Sequence, residues 1–377
     1  MAGTLLERKL TARRNCCAEF AVATQADDAE IRGLLRENPI PGRISLSLER
    51  EPDYFADARV PGEIRQTVIA RENRRIVCVG SCVVRQRFIN GEPRCVGYLG
   101  GLRLDASQAG RFDVVRRGYE FFRELQTEAP ADFYFTSIAA DNERARTFLE
   151  RGLPGMPQYE FVGEFVTVLL STDFGPSSYA ESQPGILFAN EVVARLNEQN
   201  SFYQLAPTWS ANELVASAAL GLEPHHFSFI RRNGRIVAGA AVWDQRTFKQ
   251  AVIRGYAAPL TALRPAYNFG ARAFGWPQLP NVGVSLSNAF LSHVVANADE
   301  QDTLIQSISE LRRAAAQRGI KLLTMGFAVN DLRLAAVRRH FRNRIYRSRL
   351  YVVRWLKIGG AAGELNNSVL APEVALL

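Results

Sequence analysis

The chain has 377 residues, with 46 lysines and arginines against 38 acids, a formal net charge of +8. Its 47% apolar and 22% charged content is ordinary for a globular protein and excludes a disordered or collagen-like chain. No apolar run reaches the roughly 18 residues of a membrane-spanning helix. Met1 to Arg14 has charges but no apolar signal core, so the expectation is a cytoplasmic protein.

Residues 1–17 read as an N-terminal extension. Phe20 to Thr24 is a short apolar strand, and Asp27 and Asp28 open a helix through Leu35, with acids where the helix dipole favours them. Two β-branched runs, 67–71 and 75–88, flank Glu72-Asn73-Arg74, a hairpin signal. Asn90-Gly91 marks a second tight turn before a strand at 95–104. A loop follows, then a helix from about Asp113 to Gln126, a buried-type strand from Asp132 to Ile138, and a helix from Asn142 to Arg151. Residues 160–170 close the first half as a strand or hairpin.

The five cysteines, Cys16, Cys17, Cys78, Cys82 and Cys95, are odd in number and all lie in the first quarter. That pattern does not suit a disulfide framework. The histidines His225, His226, His293 and His340 lie far downstream, so no metal site is expected, and Cys78 and Cys82 read as buried strand residues.

A three-strand meander leading into a β-loop-α-β crossover resembles the GCN5-related N-acetyltransferase (GNAT) superfamily. The resemblance covers about residues 18–170. It rests on LRLDASQAGRFDVVRRGYEFF from Leu102, similar to the family's acyl-CoA strand, loop and helix, and on AADNERARTFLERG from Ala139, similar to its later helix. It implies acetyl-CoA or another acyl-CoA as a substrate, and transfer of its acyl group to a primary amine. The pantetheine arm would pair with the strand at Leu102, Arg103 and Leu104. The pyrophosphate would sit on backbone N–H groups of Gln108, Ala109, Gly110, Arg111, Phe112, Asp113 and Val114, above a helix N-terminus. Asn142, which opens the later helix, is counted with this cofactor site. Phe112 and Val114 stand where the family has small residues, and Leu149 stands where it often has a tyrosine acid. The remaining acid–base candidates are Tyr98, placed first, then Glu92 and Glu63.

Residues 171–185, rich in Ser, Gly and Pro, read as a linker. Beyond it the element order repeats. Residues 227–248 parallel the 68–88 region: each reads strand, polar turn, Arg-Ile-Val, a small-residue stretch with Gly80 or Gly239, and a glutamine exit. A strand from Val284 to Val295, a helix from Gln301 to Gly319 with Leu304, Ile308, Leu311 and Ala315 on one face, a strand KLLTMGF, a helix starting at Asn330 and a final strand from Tyr346 complete the copy. The fold class is therefore α/β (α+β), with two GNAT-like folds in tandem: 18–170, then 186–358, then a tail at 359–377.

The charge divides unevenly. Residues 1–170 hold 24 basic and 24 acidic side chains; the remaining 22 basic and 14 acidic ones give the second half all of the +8. Its second copy has no glycine loop, and Asp299 and Glu300 would repel phosphate there. Residues 333–357 contain Arg333, Arg338, Arg339, Arg342, Arg344, Arg347, Arg349, Arg354 and Lys357 with no acid. They are expected to offer an acidic partner, RNA or a carrier protein, a basic surface. Two rival readings remain: a transferase that takes its acyl group from aminoacyl-tRNA or a carrier protein, and a non-catalytic GNAT pair acting as a binding module.

Overall fold

The computed structural model describes residues 18–126, 131–172, 186–273, 278–296, 299–355 and 365–377. The expected extension, most of the linker, Lys357, Cys16 and Cys17 lie outside the described residues.

The first half begins with β1 (Glu19–Val22), α1 (Asp28–Glu37), β2 (Ile44–Glu49), β3 (Ile64–Glu72), β4 (Arg75–Ile89) and β5 (Glu92–Leu104). The two hairpin turns have left-handed residues where the sequence placed them: Asn73 and Arg74 at φ 50° and 66°, and Asn90 and Gly91 at 53° and 90°. Two successive positive φ values match the right-handed twist of the flanking strands. There follow α2 (Phe112–Leu125), β6 (Phe133–Ala139), α3 (Glu143–Leu149) and β7 (Gln158–Ser171), so β7 runs into the segment read as linker.

The second half contains α4 (Ile186–Asn200), α5 (Ala211–Ala216), β8 (Phe227–Arg232), β9 (Arg235–Trp243), β10 (Gln250–Tyr256) and α6 (Ala258–Ala273). It continues through β11 (Asn288–Ala296), α7 (Gln301–Gln317), β12 (Leu322–Ala328), α8 (Leu332–His340) and β13 (Asn343–Arg354). The last helix is capped by Asp331, which accepts the Arg333 N–H at 2.9 Å, one residue beyond the expected Asn330. In α7, Leu304, Ile308, Leu311 and Ala315 are buried against β9 and β12, as their spacing requires.

All but two of the described strands form one sheet, ordered β1-β3-β4-β5-β6-β13-β7-β12-β11-β9-β8. The halves exchange their closing strands. β13 inserts between β6 and β7, pairing Val352 with Phe135 on one side and Ile345 with Val168 on the other. β7 pairs onward with β12, Met325 opposite Val168. The strand at 160–170, read as closing the first half, thus borders the second half's sheet. β2 and β10 pair apart, Leu46 with Ile253, and Arg254 reaches Glu49 and Ser47 across that ribbon.

The segment read as a tail is part of the core from residue 365 onward. Gln204 and residues 369–371 exchange main-chain bonds of 2.8–2.9 Å, and Leu370 lies buried over Gly163. Val374 abuts Gly326 of β12, while the Glu373 carboxylate accepts the main-chain N–H of His293 on β11 at 3.1 Å.

Candidate active site

β5 and β6 run parallel only from Val96 opposite Phe133 to Tyr98 opposite Phe135. Beyond Tyr98 the strands separate, and the Thr136 hydroxyl, donating to the Leu99 carbonyl at 2.7 Å, spans the opening. The separation begins at a bulge. Val79 faces Arg103 and Ser81 faces Gly100, so Gly101 and Leu102 both stand opposite Gly80. Gly101 has φ +66°, and a Cβ there would come within 3.1 Å of the Ser81 hydroxyl. The bulge turns β5 away from β6 and makes a wedge.

The second half repeats this arrangement residue for residue. β11 and β12 are in register from Asn288 to Phe290, and a bulge at His293 and Val294 faces Ala240. The spacing from the last parallel pair to the left-handed residue is three in both halves: Tyr98 to Gly101, and Phe290 to His293. On this register Gly80 matches Ala240 rather than Gly239. At the second wedge the chain's own Ala371, Pro372 and Glu373 border a cavity of about 40 Å³ beside His293, Gly326 and Arg333, and Glu373 sits on the bulge N–H.

The register gathers a polar face around Tyr98. Arg65 opposes Val83, which opposes Tyr98, and Arg85 and Arg87 follow on the same side of β4. Arg85 lies 3.5 Å from Glu63 and stacks over Trp209, its guanidinium carbon 4.7 Å from the ring centre. Arg50 pairs with Asp57, which Arg65 meets at 3.1 Å. Arg87 is fully buried, donates to the Leu205 carbonyl at 3.0 Å and lies over Phe135. Burial pushes the Tyr98 phenol up to about 12, opposed by Arg87 and Arg50 nearby. It therefore stays protonated at neutral pH, which suits an acid and not a base. Glu63 shares this cluster. Glu92 does not: it is exposed at the hairpin turn, six residues along an extended strand, about 20 Å from Tyr98.

The expected phosphate loop is folded on itself. Asp105 accepts from the Ser107 N–H and hydroxyl at 2.8 and 2.6 Å. The N–H groups of Gln108, Ala109, Arg111, Phe112 and Val114 donate to the carbonyls of Asp105, Ala106, Gln108, Gly110 and Arg111. Gly110 takes φ +93°. Asp113 grips Arg111 through two 2.9 Å bonds, and Glu72 meets the same guanidinium at 3.1 Å. The Arg111 guanidinium holds the Asp113 carboxyl below the usual range, helped by the N–H groups of Asp113 and Val114. The phenyl ring of Phe112 stacks on Phe148 at 4.4 Å, and the Val114 side chain is fully buried. Leu102 is partly exposed, and the Arg103 guanidinium turns back to the Leu102 carbonyl at 2.8 Å. Leu104 packs against the cluster of Cys78 and Val114. Asn142 caps α3, accepting from the Ala145 N–H at 3.1 Å.

The basic stretch also divides on folding. Arg333 is buried, bonded to Asp331 at 2.6 Å and flanked by the rings of Tyr203 and Phe327. Arg347, Arg349 and Arg354 face Glu164, Glu150 and Glu160 at 3.0, 3.7 and 4.0 Å. Arg338, Arg339, Arg342 and Arg344 are exposed. No group of histidine, cysteine and acid side chains with metal-binding geometry occurs among the described residues. No helix among them is long and apolar enough to cross a membrane.

A meander running into a splayed parallel pair, with the strand beyond it closing the sheet, is the GNAT fold, and the pattern occurs in both halves of the sheet. Solved structures carry the particular likeness. Saccharomyces cerevisiae N-myristoyltransferase with bound myristoyl-CoA superposes with a TM-score of 0.61 at 9% identity, over 94% of this chain and 88% of that one. A second structure of that enzyme, with myristoyl-CoA and inhibitors, gives 0.58 at 12% over 93% and 84%. A GCN5-related N-acetyltransferase from Sphaerobacter thermophilus gives 0.52 at 11% over 92% and 98%. At such identities the likeness is one of fold. No protein-family model matches the sequence, and no curated protein does.

Proposed function

We propose that this chain transfers an acyl group from a CoA thioester to a primary amine in the wedge between β5 and β6. One observation carries the reading: the second wedge, built on the same register, has its bulge N–H capped by a carboxylate from its own chain. In this reading the corresponding N–H at Gly101, an exposed residue of the first wedge, serves a substrate oxygen. That the yeast N-myristoyltransferase structure holds myristoyl-CoA on this fold supports the choice of donor.

In this reading the amine attacks the thioester carbonyl, whose developing oxyanion takes a hydrogen bond from the backbone at Gly101. The C–S bond then breaks, and the Tyr98 phenol, held protonated by burial, supplies the proton to the departing thiolate. The amine sheds its own proton to solvent or to Glu63. The expected observation is a rise in melting temperature with CoA, equivalent to about 2.7 kcal/mol at 100 times the dissociation constant. No shift at millimolar CoA would sink the reading.

The self-bonded loop at 105–114 favours a second reading. A chain that takes its acyl group from aminoacyl-tRNA or a carrier protein, or that only binds partners, needs no pyrophosphate cradle. Binding of tRNA or an acyl-carrier protein without any response to CoA selects it.

A further inference from the structure

The helix α6 is amphipathic in the wrong sense for a soluble surface. Arg264, Tyr267 and Asn268 face the protein. Asn268 exchanges two bonds with Leu279, donating to its carbonyl at 2.9 Å and accepting its N–H at 2.8 Å. Arg264 donates to the same carbonyl at 3.3 Å and stacks over Tyr256, and the Tyr267 hydroxyl meets Arg344 at 3.2 Å. The opposite face, Ala262, Leu263, Pro265, Ala266, Phe269 and Ala273, is exposed. Phe269 is 80% and Leu263 62% accessible, and Val282, beside the helix, is 55% accessible. Surface helices normally place these classes the other way round.

The stretch of chain that carries this face has charge of one sign. No acidic residue occurs between Asp244 and Asp299. Arg272 edges the apolar face, Arg344 of β13 lies beside the helix through its bond to Tyr267, and exposed Arg338 of α8 is tied to the same strand, its carbonyl accepting from the Asn343 amide at 3.1 Å.

We propose that α6 and the adjoining arginines dock on an anionic membrane surface, with Leu263 and Phe269 entering the headgroup–acyl boundary and the arginines facing lipid phosphates. Apolar anchors ringed by arginine are the composition of an interfacial helix. A second copy seated face to face would bring the two arginine clusters together, so like charges oppose that occupant. RNA would engage the arginines but gain nothing from Leu263.

The test is co-sedimentation of the full chain with phosphatidylcholine vesicles, with and without phosphatidylserine. Sedimentation is expected only with phosphatidylserine, falling as salt rises. The double variant L263E/F269E is expected to stay in solution with an unchanged melting temperature, since both side chains are exposed. R338A/R339A is expected to bind about thirtyfold more weakly. Failure to sediment with phosphatidylserine, or sedimentation indifferent to L263E/F269E, overturns the proposal. So does a stable dimer that L263E/F269E dissociates, which assigns the face to a second copy. RNA binding lost in R338A/R339A, without any vesicle binding, assigns the arginines to nucleic acid.

Discussion

Gly101 and His293 stand at the same bulge in the two halves of the sheet, both with left-handed backbone, at φ +66° and +53°. Glycine adopts that conformation without penalty; a residue with a Cβ pays about 1–2 kcal/mol. In the second half the strain is offset by what surrounds the histidine: its ring lies 4.1 Å from Trp209, and Glu373 holds its N–H. Gly101→Ala is therefore expected to cost about 1–2 kcal/mol, because no such contacts are in place and the Ser81 hydroxyl stands in the way. Urea denaturation measures it; an unchanged midpoint would show that the bulge relaxes freely.

The buried histidines set an acid limit on stability. Burial pushes His293 down to about 3, with Arg85 adding to the effect, and His226 down to about 4. Unfolded, both titrate near 6.5. The unfolded chain thus binds more protons below that value. Stability from these groups is complete above about pH 6.5 and is lost as pH falls towards the folded values. Each contributes a slope of up to about 1.4 kcal/mol per pH unit. Glu373, raised by burial, acts in the opposite sense in the acid range. His226→Gln is expected to halve the slope between pH 6 and 5, read from denaturation midpoints. A flat profile in the parent protein contradicts the burial of both rings.

Tyr98→Phe tests the acid. The substitution keeps the ring against Phe135 and removes only the proton donor. A fall in kcat of about 10²- to 10⁴-fold with KM little changed is expected for acyl-CoA and amine. Unchanged turnover removes Tyr98 from the chemistry.

The loop allows a substitution that should improve binding. Asp113 occupies Arg111 and lies at the start of α2, where a phosphate would compete with it. Asp113→Asn is expected to tighten CoA binding by about two- to fivefold while destabilising the helix by a few tenths of a kcal/mol. Calorimetric titration reads the affinity; equal affinity for both proteins places the phosphates elsewhere.

Leu370 and Leu376 are buried in clusters that draw on both halves. Each truncated to alanine is expected to cost about 2–5 kcal/mol. The thermal transition should stay single and move down as a whole. Two separated transitions would show that the lobes melt independently.

The parts of this fold that were legible in the sequence are those fixed locally. Asn73-Arg74 and Asn90-Gly91 announce their turns because few other residues accept positive φ cheaply. Leu304, Ile308, Leu311 and Ala315 announce a buried stripe through spacing alone. The exchange of β7 and β13 leaves no such mark: Leu350 and Val352 alternate identically whichever strand lies beside them. Arg333 reads as one more surface charge until Tyr203, 130 residues earlier, is seen to cover it. α6 is not announced by its sequence, because Pro265 and Gly270 interrupt a helical reading of that stretch. At the site, Tyr98 could be chosen by its strand position. The cluster of Arg50, Arg65, Arg85 and Arg87 could not, since it is assembled from β3, β4 and a loop between β2 and β3. Glu92 fell away because strand geometry carries it to the far end of the hairpin.

The placement of β13 has a consequence for synthesis. A ribosome delivers the first half in order, yet the neighbour that β6 needs is not made until residue 354 is complete. Until then β6 presents an open edge of Tyr134, Phe135 and Thr136, the kind of unpaired strand that invites aggregation. The N-terminal lobe must wait, unfinished, while nearly two hundred further residues are made, so its closure is tied to synthesis of the second half.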